Sequence, residues 1–202
     1  MSSADHMTRA RPYRMRRRAE NVDDTRRRIV EATVALHGSI GPAATTFMGI
    51  AQRAGVTRAT VYRHFPDEAT LFGACSAHWL AQQRQPDPAA WAAVPDPVAR
   101  LRLGLTDLYR FYRAGDAMLV RIQHDIDFVP APHRRRLQKR DVQLTEVLLA
   151  AYPPRAQGDR LRAAIGHAVS FWTWRSLCVE HALSDADAVD LMVALARAAH
   201  RQ

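Results

Sequence analysis

The 202-residue sequence is poor in several features that would commit it to particular chemistry. It holds two cysteines, Cys75 and Cys178, far apart and with no ligand-spaced partner. That excludes a disulfide scaffold or a cysteine-based zinc site and predicts free thiols in a reducing compartment. No apolar run approaches the ~20 residues needed to span a bilayer, and the basic N-terminus lacks the apolar core of a signal peptide. The expectation is therefore a cytoplasmic chain with no membrane partner. No alternating β pattern occurs, and neither a nucleophile elbow nor a phosphate-binding loop is present, so the chain is read as all-α and not as an enzyme. His124, Asp125, Asp127 and His133 are suitable residue types for a metal, but only His124 and Asp127 share a helical face. No metal or other cofactor is expected.

What the sequence does contain is positive charge, unevenly placed. The formal net charge is +9. Residues 1–65 contain 12 arginines against 5 carboxylates, a net +7, which leaves only +2 for the other 137 residues. Positive charge concentrated in one third of a chain suits phosphate attraction. Residues 1–22, with Arg9, Arg11, Arg14, Arg16, Arg17 and Arg18, show no periodicity and read as a disordered basic arm. The arm is either a minor-groove or phosphate-tracking extension or a solubilising tail. Arg134, Arg135 and Arg136 read as a solvated face.

The charge accompanies a motif, TTFMGIAQRAGVTRATVYRHFPDEATLF, from Thr45 to Phe72. A helix opening at Asp23 or Asp24 and ending near His37 precedes it, with Ile29, Val30, Thr33, Val34 and Leu36 on its apolar face. Thr45 or Thr46 caps the next helix, which ends at Gly55, a residue that takes a left-handed turn without steric cost. Thr57 caps the following helix, on which Val61 and Phe65 point back to the first pair. Small residue, turn glycine and apolar plug together predict a helix-turn-helix. Arg58, Ala59 and Tyr62 then face outward. Arg58 suits a guanine edge, Ala59 a thymine methyl, and Tyr62 a methyl or a phosphate; Thr60 and His64 are placed for phosphates. Tyr62 and His64 could instead simply close the small domain.

Thr45-Thr46, Ile50-Ala51, Ala54-Gly55-Val56, Thr60-Val61-Tyr62, His64-Phe65 and Leu71-Phe72 together resemble the DNA-binding domain of the TetR family of bacterial transcription regulators. The resemblance implies base contact by Arg58, Ala59 and Tyr62 and backbone contact by Thr46, Thr60 and His64, with Thr57 beside them. It also implies a homodimer on a palindromic double-stranded operator, usually a repressor released by a small molecule. The fold it implies is a three-helix DNA-binding domain joined to a helical ligand-binding and dimerisation bundle. Two positions depart from the pattern. Glu68 stands where the family usually has a phosphate-contacting lysine, and Met48-Gly49 replaces a frequently charged pair.

The remainder is expected to regulate. The domain boundaries read as 23–83 for the DNA-binding part with its connecting helix and 84–202 for the rest. Four prolines at 86, 88, 95 and 97 mark the break. Helices are expected over 98–113, 116–127, 133–152, 158–181 and 185–200. Ser184 with Asp187 forms a capping pair for the last helix. Its apolar face (Val189, Leu191, Met192, Leu195, Ala196) is broader than one neighbour needs, which fits pairing of the last two helices with a second copy. An intrachain bundle is the other reading. Tyr109, Tyr112, Phe128, Phe171, Trp172 and Trp174 are the candidate ligand-binding aromatics, with core packing as the competing role. A non-sequence-specific nucleoid protein using the basic arm is the rival function.

Overall fold

The computed structural model describes residues 5–200, with side chains from Glu20 onward. Among these residues all regular structure is helical. The chain divides into two compact units, Met1–Trp79 with Arg121–Pro130, and Leu80–Val120 with Ala131–Gln202.

The first unit contains α1 (Asp5–Ile40), α2 (Phe47–Ala54), α3 (Arg58–His64) and α4 (Glu68–Ala81). Its core joins Ile29, Val30 and Ala32 of α1 to Ile50, Ala51 and Ala54 of α2, to Val61 and Phe65, and to Leu71 and Cys75 of α4. The expected start of α1 at Asp23 or Asp24 is corrected: the helix runs back to Asp5, so residues 5–22 are not an irregular arm. They lack an apolar face but are rich in arginine, which favours helix without one. The contacts of the six arm arginines, and residues 1–4, lie outside the described residues.

The loop after α1 is held by the segment 121–130. Arg121 Nε donates to the Gly38 carbonyl (3.0 Å) and Asp125 Oδ2 accepts from the Ala43 N–H (2.9 Å). Gly41, at φ +84°, lies so close to Asp125 that a Cβ there would sit 2.3 Å from its carboxylate oxygen. Beside this loop His37 is 9% exposed, with its ring against Phe72. Burial pushes its imidazole down to about 4, against the opposing field of Asp125.

The second unit contains α5 (Pro88–Ala92), most of α6 (Pro97–His124), α7 (Ala131–Leu149), α8 (Asp159–Val169), α9 (Phe171–Arg175) and α10 (Asp185–His200). Three expectations are corrected here. The proline-rich break contains a short helix, α5, capped by Asp87 Oδ1 accepting from the Ala89 and Ala90 N–H groups. The helices expected over 98–113 and 116–127 are one, because Gly115 is buried within α6 and packing there outweighs the cost of a helical glycine. The helix expected over 158–181 ends at Val169, where extended Ser170 (ψ 133°) breaks the ladder before α9 and a π-helical turn, Ser176–Glu180.

That break is stabilised from a distance. The last carbonyls of a helix have no partner inside it. Tyr109 Oη donates to the Ala168 carbonyl (2.9 Å) and Tyr112 Oη to that of Val169 (2.7 Å). Arg100, 8% exposed, performs the same service around α5, donating to the carbonyls of Ala92 (2.9 Å), Val94 (2.7 Å) and Val147 (3.1 Å). The Ser184–Asp187 capping pair of α10 forms as expected, the Asp187 N–H donating to Ser184 Oγ (3.1 Å) and that hydroxyl to Asp187 Oδ2 (2.6 Å).

Two outcomes follow from these arrangements. Arg100→Met keeps the stem but leaves three carbonyls without their donor, and lowers the unfolding free energy in urea by about 3 kcal/mol; a loss well under 1 kcal/mol would show that water replaces the guanidinium. Burial lowers the His37 pKa below its unfolded value, so the native state binds fewer protons there. Its contribution is complete above pH ~6.5 and is lost as pH falls towards 4, about 3 kcal/mol in all. Denaturant unfolding of wild type and His37→Gln at pH 7.5 and 4 should show wild type losing about that much more than the variant.

Candidate nucleic-acid interface

The turn between α2 and α3 is built by local chemistry. Thr46, in extended conformation, caps α2 by accepting from the Gly49 N–H (3.1 Å). Gly55 closes the helix at φ 64°, ψ 40°, and the Val56 N–H reaches the Ala51 carbonyl (3.0 Å). Thr57 caps α3 through the Thr60 N–H (3.1 Å), and the two threonine hydroxyls are 2.9 Å apart. Val61 and Phe65 are fully buried, which fixes the rotation of α3 about its axis. A hydroxyl accepting at a cap still has its own proton to donate. Thr46 is exposed and can give that proton to an external acceptor.

With the core side decided, Arg58, Ala59 and Tyr62 lie exposed on α3. The Arg58 guanidinium sits over the Tyr62 ring, 5.4 Å from its centroid, and Arg58 Nη2 donates to Tyr62 Oη (3.2 Å). Thr60 and His64 are half-buried. Desolvation, followed by the charges of Arg63 and Arg26, lowers the His64 pKa, which favours the neutral imidazole. Met48 on α2 is 52% exposed. Glu68 opens α4 where Asp67 is the cap, its Oδ1 accepting from the Thr70 N–H (2.6 Å), and a carboxylate in this first turn suits the helix dipole.

Three contributors were not legible as such in the sequence. Arg28 Nη2 donates to the carbonyls of Ala54 and Gly55 (the latter at 3.2 Å), holding the turn from α1. Arg26 Nη1 donates to the His64 carbonyl (3.1 Å) and its guanidinium covers the Phe65 ring at 4.2 Å. Phe47 stacks on Tyr62 with centroids 4.5 Å apart and rings within 7° of parallel. The arginine excess marked Arg26 and Arg28 as charge only, and nothing local announces their carbonyl partners.

The six candidate ligand-binding aromatics do not converge. Tyr109, Tyr112, Phe171 and Trp174 form a close-packed cluster, with Tyr112 edge-on to Phe171 at 5.4 Å and all four at most 2% exposed. Trp172 touches Phe171 but is 46% exposed, and Phe128, 66% exposed, belongs to the first unit. An open concavity of about 320 Å³ on α7 is lined by Arg135, Gln138, Lys139, Val142 and Gln143, none of them aromatic. His124 Nδ1 is 2.8 Å from Asp125 Oδ1; with Asp125 Oδ2 on Ala43, both carboxylate oxygens are engaged within the protein.

Residues 29–75 match the family described as bacterial regulatory proteins, tetR family. Over most of the chain the fold is similar to a TetR-like transcriptional regulator from Rhodococcus sp. RHA1, at 20% identity and a TM-score of 0.61, covering 86% of this chain and 93% of that one. It is also similar to NalD, the secondary repressor of the MexAB-OprM multidrug efflux pump in Pseudomonas aeruginosa, at 19% identity and a TM-score of 0.54, covering 89% and 97%. Comparison with curated proteins found no match. The matched segment contains the helical core, both threonine caps and the left-handed glycine between them, so the chain is similar to the tetR family of bacterial regulatory proteins through this segment.

Proposed function

We propose that this protein is a homodimeric repressor that reads a palindromic DNA operator with α3 and is released by a small molecule. The observation that carries the reading is the exposed row Arg58, Ala59 and Tyr62 on a helix whose rotation is set by buried Val61 and Phe65. Arg58 donates to a guanine edge, and Ala59 and the Tyr62 ring meet thymine methyls. Thr46, Thr57, Thr60 and His64 hold phosphates and set the register without reading sequence. With Met48 and Glu68 contributing no positive charge, sequence preference rests on three side chains of α3.

Pairing is supported by α10, where Leu191 and Leu195 are 47% and 40% exposed although Met192, Val193 and Ala196 beside them are buried. An apolar stripe left on a helix already packed on its other side suits a second copy, and two linked readers gain affinity from the spacing of half-sites. The effector would be an apolar or aromatic molecule taken among the Tyr109, Tyr112, Phe171 and Trp174 rings, which must part to admit it. Release requires that it prefer the state that does not fit the operator, since equal affinity for both states shifts nothing. No helix of the described residues is long and apolar enough to cross a membrane, in keeping with action on DNA in the cytoplasm.

Selection from a randomised duplex pool tests the reading. The wild type should enrich a palindrome and bind it with steep salt dependence. His64→Ala should weaken binding to all sequences alike, whereas Arg58→Ala should relax preference at one base position by about 1–3 kcal/mol. Enrichment of no motif, with Arg58→Ala binding like wild type, would falsify specific reading and leave a non-sequence-specific DNA coat. Separately, Leu191→Asp with Leu195→Asp should sediment as a monomer and bind the palindrome about 100-fold more weakly; a dimer surviving both changes would place the contact elsewhere.

A further inference from the structure

Arg58 is a long side chain with many rotamers, on the surface of a helix of seven residues. Reading a base with such a side chain ordinarily means ordering it at the moment of binding. Here it is already held: its guanidinium lies over Tyr62 and donates to the Tyr62 hydroxyl at 3.2 Å. Tyr62, 40% exposed, is itself too open to be fixed by burial. Its ring is fixed by Phe47, parallel to within 7° at 4.5 Å. Phe47 is the first residue of α2, directly after the Thr46 cap, and packs against the core formed by Ile29, Ile50, Val61 and their neighbours. The order of support therefore runs from the core through Phe47 and Tyr62 to Arg58.

We infer that Phe47 is a positioning residue for sequence recognition, setting the ring plane of Tyr62 and through it the direction of Arg58, without touching DNA itself. The inference rests on the proposed reading by α3. An aliphatic residue would fill the same space against the core, but only a flat ring stacks on another ring in a defined plane, so the geometry distinguishes positioning from filling. A residue that orders a base-reading arginine without contacting phosphate should govern the preference between sequences and leave the electrostatic grip on any duplex unchanged.

The test uses the full chain and a pool of 30-base-pair duplexes with randomised interiors. Wild type, Phe47→Leu, Phe47→Tyr, Arg58→Ala and the Phe47→Leu/Arg58→Ala double variant are compared for enrichment, for affinity towards unselected pool, and for melting temperature. Phe47→Leu should melt within a few degrees of wild type and bind unselected pool equally. It should lose about tenfold of the preference at the same base position that Arg58→Ala relaxes. The double variant should lose no more than Arg58→Ala alone, and Phe47→Tyr should restore the preference. Phe47→Met reads the same quantities if leucine is not tolerated. If Phe47→Leu enriches the wild-type motif with undiminished preference, or if specific and unselected binding fall together with the melting temperature, Phe47 only fills the core and the inference is overturned while reading by α3 stands. If wild type enriches no motif, reading by α3 fails and takes the inference with it.

Discussion

The carbonyl oxygens at helix C-termini are the constraint on which much else here depends. A chain whose regular structure is helical leaves up to four unpaired acceptors at each helix end, and those turned away from water need donors. In both units some of the donors come from far along the chain. Arg28 serves the end of α2 and Arg26 the end of α3. Arg121 serves Gly38 in the last turns of α1. Arg100 gathers three carbonyls around α5 and towards the end of α7, while Tyr109 and Tyr112 close α8. Each donor also ties its own helix to the one it caps, so a local requirement produces tertiary order.

This changes the meaning of the arginine excess. Net charge concentrated in the first third of the chain reads as phosphate attraction, and Arg58 keeps its guanidinium on the surface, over the exposed Tyr62 ring. Arg26 and Arg28 are committed elsewhere, to backbone oxygens inside the helix-turn-helix. Their charge still contributes to the positive field, since a hydrogen bond to a neutral carbonyl does not cancel it. What they do not retain is the freedom to reach outward. The tyrosines show the same division. Tyr62 stays on the surface, whereas Tyr109 and Tyr112 spend their hydroxyls on carbonyls and their rings on Phe171 and Trp174, so their pKa values are pushed well up by burial.

The helix-turn-helix was legible because its determinants are local. Thr46 and Thr57 cap within three residues, Gly55 takes the left-handed conformation that its lack of Cβ allows, and Val61 and Phe65 are buried where apolar spacing put them. The reading failed where the deciding energy was not local. Gly115 looked like a break but is buried inside α6, and Ser170 did not look like a break but is one, because two tyrosines some sixty positions away accommodate it. The start of α1 was missed for the opposite reason: residues 5–22 form helix without the apolar periodicity by which a helix is recognised.

Sequence alone determined the fold class, the turn at Gly55, the Thr57 cap and which face of α3 turns outward, since each depends on propensities and spacings of a few residues. Tertiary structure alone decided that Phe47 lies flat on Tyr62, that Arg28 grips the turn from α1, that Asp125 and Arg121 hold the loop after α1, and that four aromatics pack together while Phe128 and Trp172 remain exposed. The physical reason is that a donor or a ring finds its partner through the packing of whole helices. The partner's position in the chain leaves no mark at the donor's.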